Sequence, residues 1–147
     1  PQTIGGESAI IYDENKFAFK ELPDKFQTGF RNHVGIVGLA SSAHYLQKFG
    51  MKNIHKKNQH LSNLFREELS KIKNIILYGP ENPNDRTSII SFNIKGYDAQ
   101  QLVDKLEKQN IILAVREISN TKIIRASPHF FNTESQIIQV VDTIKKL

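Results

Sequence analysis

Ile75-Ile76-Leu77-Tyr78-Gly79-Pro80-Glu81-Asn82-Pro83-Asn84-Asp85, followed by Ser88-Ile89-Ile90-Ser91-Phe92-Asn93-Ile94, decides the class of fold. Two β-branched runs flank a stretch of Gly, Pro, Asn and Asp, the pattern of two strands joined by a loop. Upstream, Ile54, Leu61, Leu64, Phe65, Leu69 and Ile72 recur at three- and four-residue steps, so a helix from about Met51–Asn53 to Lys73 has one buried and one wet face. Downstream, Gly96-Tyr97-Asp98 opens a third helix with Asp98 as N-cap and Leu102, Val103 and Leu106 inward. Ile111–Val115 and Lys122–Ala126 read as strands around a Ser119-Asn120 turn. A final helix carries the capping-box pattern Thr133-x-x-Gln136 ahead of Ile137, Val140, Val141, Ile144 and Leu147. From residue 53 the order is helix, strand, strand, helix, strand, strand, helix. That order predicts an α+β fold, a small antiparallel-type sheet with helices on one side.

Residues 1–52 differ in character. The stretch Ser8–Ala18 reads as one short strand or two, Ala9-Ile10-Ile11-Tyr12 and then Phe17-Ala18-Phe19 with Asp13-Glu14-Asn15 as the turn between, and Pro23 interrupts the pattern. From His33, the residues Val34, Ile36, Val37, Leu39, Ala40, Ala43 and Leu46 form a helix dense enough in small apolar residues to be buried on most sides. Gly35 and Gly38 on it would admit a close backbone, at about 1 kcal/mol each against Ala. Phe49-Gly50 stops this long linker helix, Gly50 suiting a left-handed position. The stretch makes no second core of its own, so its apolar helix is expected to serve as surface for something else.

With 147 residues, 39% hydrophobic and 24% charged, the chain has the size and composition of one ordinary globular domain. No apolar run spans a bilayer, and the N-terminal Pro1-Gln2-Thr3-Ile4-Gly5-Gly6 lacks the features of a signal peptide. Cysteine is absent, which excludes disulfides and thiolate metal sites and is compatible with a cytoplasmic location. The net charge of +5 raises the question of nucleic acid. Lys52, Lys56, Lys57, Lys71 and Lys73 cluster on or beside one helix, but Glu67 and Glu68 interrupt them and the other lysines are scattered, so a solvated face is the better reading. His55 and His60 are five apart, off one helical face, with no carboxylate to complete a metal site.

Several motifs, in order, resemble the C-terminal third of class V pyridoxal-phosphate enzymes, the aminotransferases and cysteine desulfurases. Gly5-Gly6-Glu7-Ser8-Ala9-Ile10 resembles the double-glycine loop before the domain junction. Phe26-Gln27-Thr28-Gly29-Phe30-Arg31-Asn32-His33-Val34-Gly35-Ile36-Val37-Gly38-Leu39 resembles the segment F-E-x-G-T-x-N-x-x-G-I-x-G-L. Tyr45-Leu46-x-x-Phe49-Gly50-Met51-x-Asn53-Ile54 is similar to the helix-to-helix junction. Tyr78-Gly79-Pro80 and Ile90-Ser91-Phe92-Asn93 resemble the paired strands. Arg125-Ala126-Ser127-Pro128-His129-Phe130-Phe131-Asn132-Thr133-Glu134 resembles R-x-S-x-x-x-Y-N-T-x-E.

The resemblance implies that residues 53–147 are the small C-terminal domain of such an enzyme and residues 1–52 the end of the large domain with its linker helix. It implies the cofactor pyridoxal 5'-phosphate, which acts as an electron sink at an amino-acid α-carbon, and a homodimer. The lysine that anchors the cofactor belongs to a part of the large domain that is not in this sequence, so the chain alone is expected to be inactive. The absence of Met at position 1 fits a longer polypeptide. A free-standing interaction module of the same fold is the alternative, and neither nucleic acid nor membrane is expected as a partner.

By the same resemblance Arg125 matches the arginine that holds the substrate α-carboxylate, a role suited to the parallel donors of a guanidinium. Arg116 matches an arginine on the adjacent strand and either lines the substrate side or pairs with Glu117 or a neighbour. His129 either lines the mouth of the site or holds a structural hydrogen bond. Gly29, Phe30, Arg31 and Asn32 match the segment that reaches the partner's cofactor phosphate; Phe30 stands where the family commonly has Thr, leaving main-chain N–H groups or Arg31 as donors. Asn32 also reads simply as a helix cap. Cysteine desulfurases carry a nucleophilic cysteine in a loop shortly after the Arg116 strand. Here that loop is the short Glu117-Ile118-Ser119-Asn120, and no hydroxyl replaces a thiolate in forming a persulfide. An aminotransferase, lyase or epimerase is therefore expected rather than a desulfurase.

Overall fold

A computed structural model describes residues 3–146. The chain divides into two compact units, Pro1–Lys48 and Phe49–Leu147.

In the first unit, β1 (Ala9–Asp13) and β2 (Lys16–Phe19) form an antiparallel hairpin. Asp13 Oδ1 accepts from the Asn15 N–H at 2.9 Å, an Asx turn of the kind this sequence favours. Gly5 is required by close approach: a Cβ there would overlap the Thr28 carbonyl. The buried Ser8 hydroxyl completes that loop, accepting from the Gly5 N–H at 2.9 Å and donating to the Gly5 carbonyl at 3.0 Å. Helix α1 (His33–Phe49) forms where expected, but none of its residues is buried. Val34 is 85% and Leu39 73% exposed, so the described chain leaves uncovered an apolar surface that the sequence pattern assigns to an interior. Gly35 admits no second backbone; the Asn32 side chain that caps α1 occupies the place of its Cβ, and nothing lies within 4 Å at Gly38.

In the second unit the positive φ of Gly50 (77°) turns the chain into α2 (Met51–Ser70). Strands β3 (Ile75–Leu77), β4 (Ile90–Ile94), β5 (Ala114–Ile118) and β6 (Thr121–Ala126) make an antiparallel sheet in the order β3-β4-β6-β5. Helices α3 (Ala99–Glu107) and α4 (Glu134–Lys145) join α2 in packing on it. Asp98 Oδ1 accepts from the Gln101 N–H at 3.0 Å, and Thr133 and Gln136 form the full capping box. Leu147 lies outside the described residues.

Strand β5 begins at Ala114, three residues later than the β-branched run suggests. Asn110 adopts φ 61° and the Ile111 N–H bonds the Leu106 carbonyl, so Ile111 closes α3 and is buried beneath it instead of entering the sheet. Glu117 and Ile118 then belong to β5, and a two-residue turn remains, Ser119 at φ 48° and Asn120 at φ 63°, the left-handed pair of a type I′ hairpin.

Phe92 and Ile124, opposite each other on β4 and β6, are fully buried beside Leu61, Phe65, Leu102, Leu106 and Val141. The Phe65 and Phe92 rings meet at 6.4 Å, tilted by 60°. Phe65→Ala is expected to lower unfolding stability by about 3–5 kcal/mol, whereas Phe30→Ala changes it by no more than about 0.5 kcal/mol; urea titration of both variants checks the pair.

Candidate functional site

Side chains alternate between the faces of a strand, so the register fixes what lies opposite the helix-packed face. With Phe92 and Ile124 inward, Ser91 pairs with Arg125, which pairs with Ala114, and Arg116 pairs with Ile123. Arg125 and Arg116 therefore share the outer face as diagonal neighbours, their Cα atoms roughly 7–8 Å apart by strand geometry.

The two arginines are held differently. Arg125 is half-buried; its Nε is shut from water without an acceptor, and none of the ion pairs among the described residues includes it. A guanidinium in that state has a donor in deficit, which favours an external anion. Arg116 is exposed and its Nη1 donates to the neighbouring Val115 carbonyl at 3.0 Å. It makes no ion pair with Glu117 among the described residues, because consecutive strand residues face opposite ways.

Asn93 supports β6 in a manner its sequence position conceals. Its Oδ1 accepts from the Ile124 N–H at 3.3 Å and its Nδ2 donates to the Lys122 carbonyl at 2.8 Å. The side chain thus grips the main chain on both sides of Ile123, just ahead of Arg125. A lone amide inside a β-branched run is the signal that could have revealed it.

His129 lies beyond the end of β6, half-buried, with its Nδ1 out of water and without a partner. Its main-chain N–H donates to Asn132 Oδ1 at 2.9 Å, and its ring lies 4.9 Å from that of Phe130 and 5.1 Å from that of Phe131. The structural hydrogen bond on this residue thus belongs to its backbone, not its imidazole. A cavity of about 260 Å³ opens nearby, lined in part by Ile111, Leu113, Ser127, Pro128 and Gln136, but not by Arg125, Arg116 or His129.

In the first unit Gly29, Phe30 and Arg31 line an open depression of about 730 Å³ together with Gly6, Glu7 and His33. The Gly5–Thr28 contact brings the double-glycine loop to this segment. Phe30 is 95% exposed, its ring edge-on to His33. Arg31 reaches Glu7 at 3.4 Å in an exposed pair. Asn32 uses its Oδ1 to cap α1, accepting from the Gly35 N–H at 2.9 Å, which is the structural one of its two expected roles.

The family model for aminotransferase class-V matches residues 1–140. The chain belongs to this family. A probable cysteine desulfurase of Methanothermobacter thermautotrophicus is 26% identical over 162 residues, covering 100% of this chain and 40% of the relative. One from Synechocystis sp. is 30% identical over 144 residues, 90% of this chain and 34% of the relative. Among solved structures, the apo cysteine desulfurase of Thermococcus onnurineus NA1 superposes with a TM-score of 0.92 at 22% identity, covering 99% of this chain and 38% of that one. The cystine C-S lyase C-DES, in complex with cysteine persulfide, gives 0.80 at 19% identity, covering 100% of this chain and 38% of that one. The fold is that of these enzymes, and the class V chain spans about two fifths of its relatives' length.

An unpaired guanidinium contributes little to folding. Arg125→Met, which keeps the aliphatic stem, is expected to leave stability unchanged or to raise it; a loss above about 1 kcal/mol in urea unfolding would show that the fold holds Arg125 for itself.

Proposed function

We propose that this chain supplies the small domain of a pyridoxal-phosphate enzyme acting on an amino acid, with Arg125 as the group that binds the substrate α-carboxylate. The observation that carries the reading is the half-buried, anion-free guanidinium of Arg125 on the outer sheet face. A carboxylate would take two parallel N–H donors from it and be fixed in one plane. Arg116, exposed one diagonal step away, adds positive potential to the same face without a carboxylate of its own. His129 borders the site through the turn that follows β6.

C-DES has been solved with glycine covalently linked to its PLP cofactor. Residues of the first unit fit the phosphate of such a group. Arg31 is exposed and only loosely tied to Glu7, and the segment around Gly29 and Phe30 offers exposed backbone beside it. Phe30 contributes no hydroxyl, and Asn32 is committed to its cap. When bound, the cofactor accepts electron density from the substrate α-carbon. This chain's part is to hold the carboxylate through Arg125 and so set which α-bond is presented. The uncovered apolar surface of α1 fits cover by a large domain, which the longer relatives have length to supply.

For the reaction itself, aminotransfer, lyase or epimerase chemistry is favoured over desulfuration. The chain has no cysteine, and the β5–β6 connection is a two-residue hairpin turn. A second reading, a non-catalytic interaction module, rests on the same exposed α1.

In the holoenzyme that carries this segment, Arg125→Lys is expected to lower kcat/KM for the amino acid roughly 100-fold, about 2–3 kcal/mol of transition-state binding. Unchanged kinetics would remove Arg125 from the site, and a native polypeptide without visible absorbance would favour the interaction module. Given L-cysteine, the protein should accumulate no bound persulfide; a protein-bound persulfide would contradict the exclusion of desulfurase chemistry.

A further inference from the structure

Where α2 meets the end of β3 and the β3–β4 connection, two arginines border one depression. Arg66 on α2 and Arg86 in the β3–β4 connection line one open depression of about 420 Å³, bordered also by Asn63, Ser70, Glu67 and Glu81. Arg66 is held in place by its Nη1, which donates to the Tyr78 carbonyl at 2.9 Å. Arg86 is held by the loop: Asn82 caps a short 3-10 turn at Pro83–Asp85, the Arg86 N–H donates to the Pro83 carbonyl, and Ser62 of α2 donates to the Thr87 carbonyl at 3.2 Å.

The electrostatics of this pair are unfinished. Neither arginine takes part in an ion pair among the described residues, and the Arg86 Nε is out of water with no acceptor. Of the two carboxylates on the border, Glu67 lies 3.9 Å from Lys71, and Glu81 pairs with no cation within 4.0 Å. Burial and the neighbouring Arg86 hold the Arg66 guanidinium below its ordinary value, against an opposing pull from Glu81. Two like charges on one depression, one with an unused fork donor, suit a tetrahedral oxyanion, which takes N–H donors from two guanidinium groups at once.

We propose that the Arg66–Arg86 depression binds a phosphate-type oxyanion, at a site separate from Arg125. Free phosphate and a phosphomonoester share the chemistry that would be recognised.

The test is a ¹H–¹⁵N titration of the 147-residue chain with inorganic phosphate, against chloride at matched ionic strength, following the side-chain Nε–H signals of Arg66 and Arg86 and the amides of the β3–β4 loop. Saturable shifts specific to phosphate are expected, weakened roughly tenfold or more by Arg66→Gln and by Arg86→Gln and unchanged by Lys122→Gln. Should Arg86→Gln fail to fold, Arg86→Lys, which keeps the charge but loses the fork, is expected to weaken binding as well. Phosphoserine binding more tightly than phosphate identifies an organic phosphate as the ligand, and weaker binding identifies the free ion. Shifts that do not saturate, that chloride reproduces, or that persist in both Gln variants overturn the proposal.

Discussion

The antiparallel pairing of β4 with β6 is the constraint on which the second unit depends. It sets Phe92 opposite Ile124 and Ile90 opposite Ala126, all buried, and gives α2, α3 and α4 one continuous apolar surface to cover. A slip of one residue would turn Ser91 and Arg125 inward and the apolar set outward, so the register is strongly determined. The same pairing puts Arg125 and Arg116 on the outer face. Core formation and the candidate site are two faces of one ladder, reinforced where the Asn93 amide grips the main chain of β6.

What makes Arg125 informative is the absence of an internal reason for it. A cation half out of water is ordinarily matched by a carboxylate or a carbonyl, and the described residues give it neither an ion pair nor an acceptor at Nε. Natural chains keep such locally unfavourable groups mainly where a ligand completes them. Arg31, in contrast, has Glu7 within reach, and its suitability for a phosphate rests on exposure.

Much of this was legible in the sequence because it is local. Three- and four-residue apolar spacing gives α2; Asp98 and the Thr133/Gln136 pair mark helix starts; Ser119-Asn120 marks the hairpin. The misplaced start of β5 shows the limit of such signals. Ile111 is as β-branched as any strand residue, and only the left-handed Asn110 before it reveals that it closes α3 instead. For Gly35 the residue type was informative but the reason was not: the space serves the Asn32 cap, not another backbone. The motif around Arg125 was readable, whereas its unpaired state and the approach of Arg66 to Arg86 are tertiary facts that no spacing encodes. The burial expected of α1 is a property of whatever covers it, and the described chain does not supply that cover.

The most direct test of Arg125 as the carboxylate-binding group uses the substrate as probe. In the holoenzyme containing this segment, the affinity of an amino acid is compared with that of the corresponding amine lacking the carboxylate, in the parent protein and in Arg125→Met. The account predicts that the parent prefers the amino acid by roughly 100-fold and that the variant abolishes the preference while binding the amine as before. A preference that survives in Arg125→Met would contradict it, because the carboxylate would then be held elsewhere.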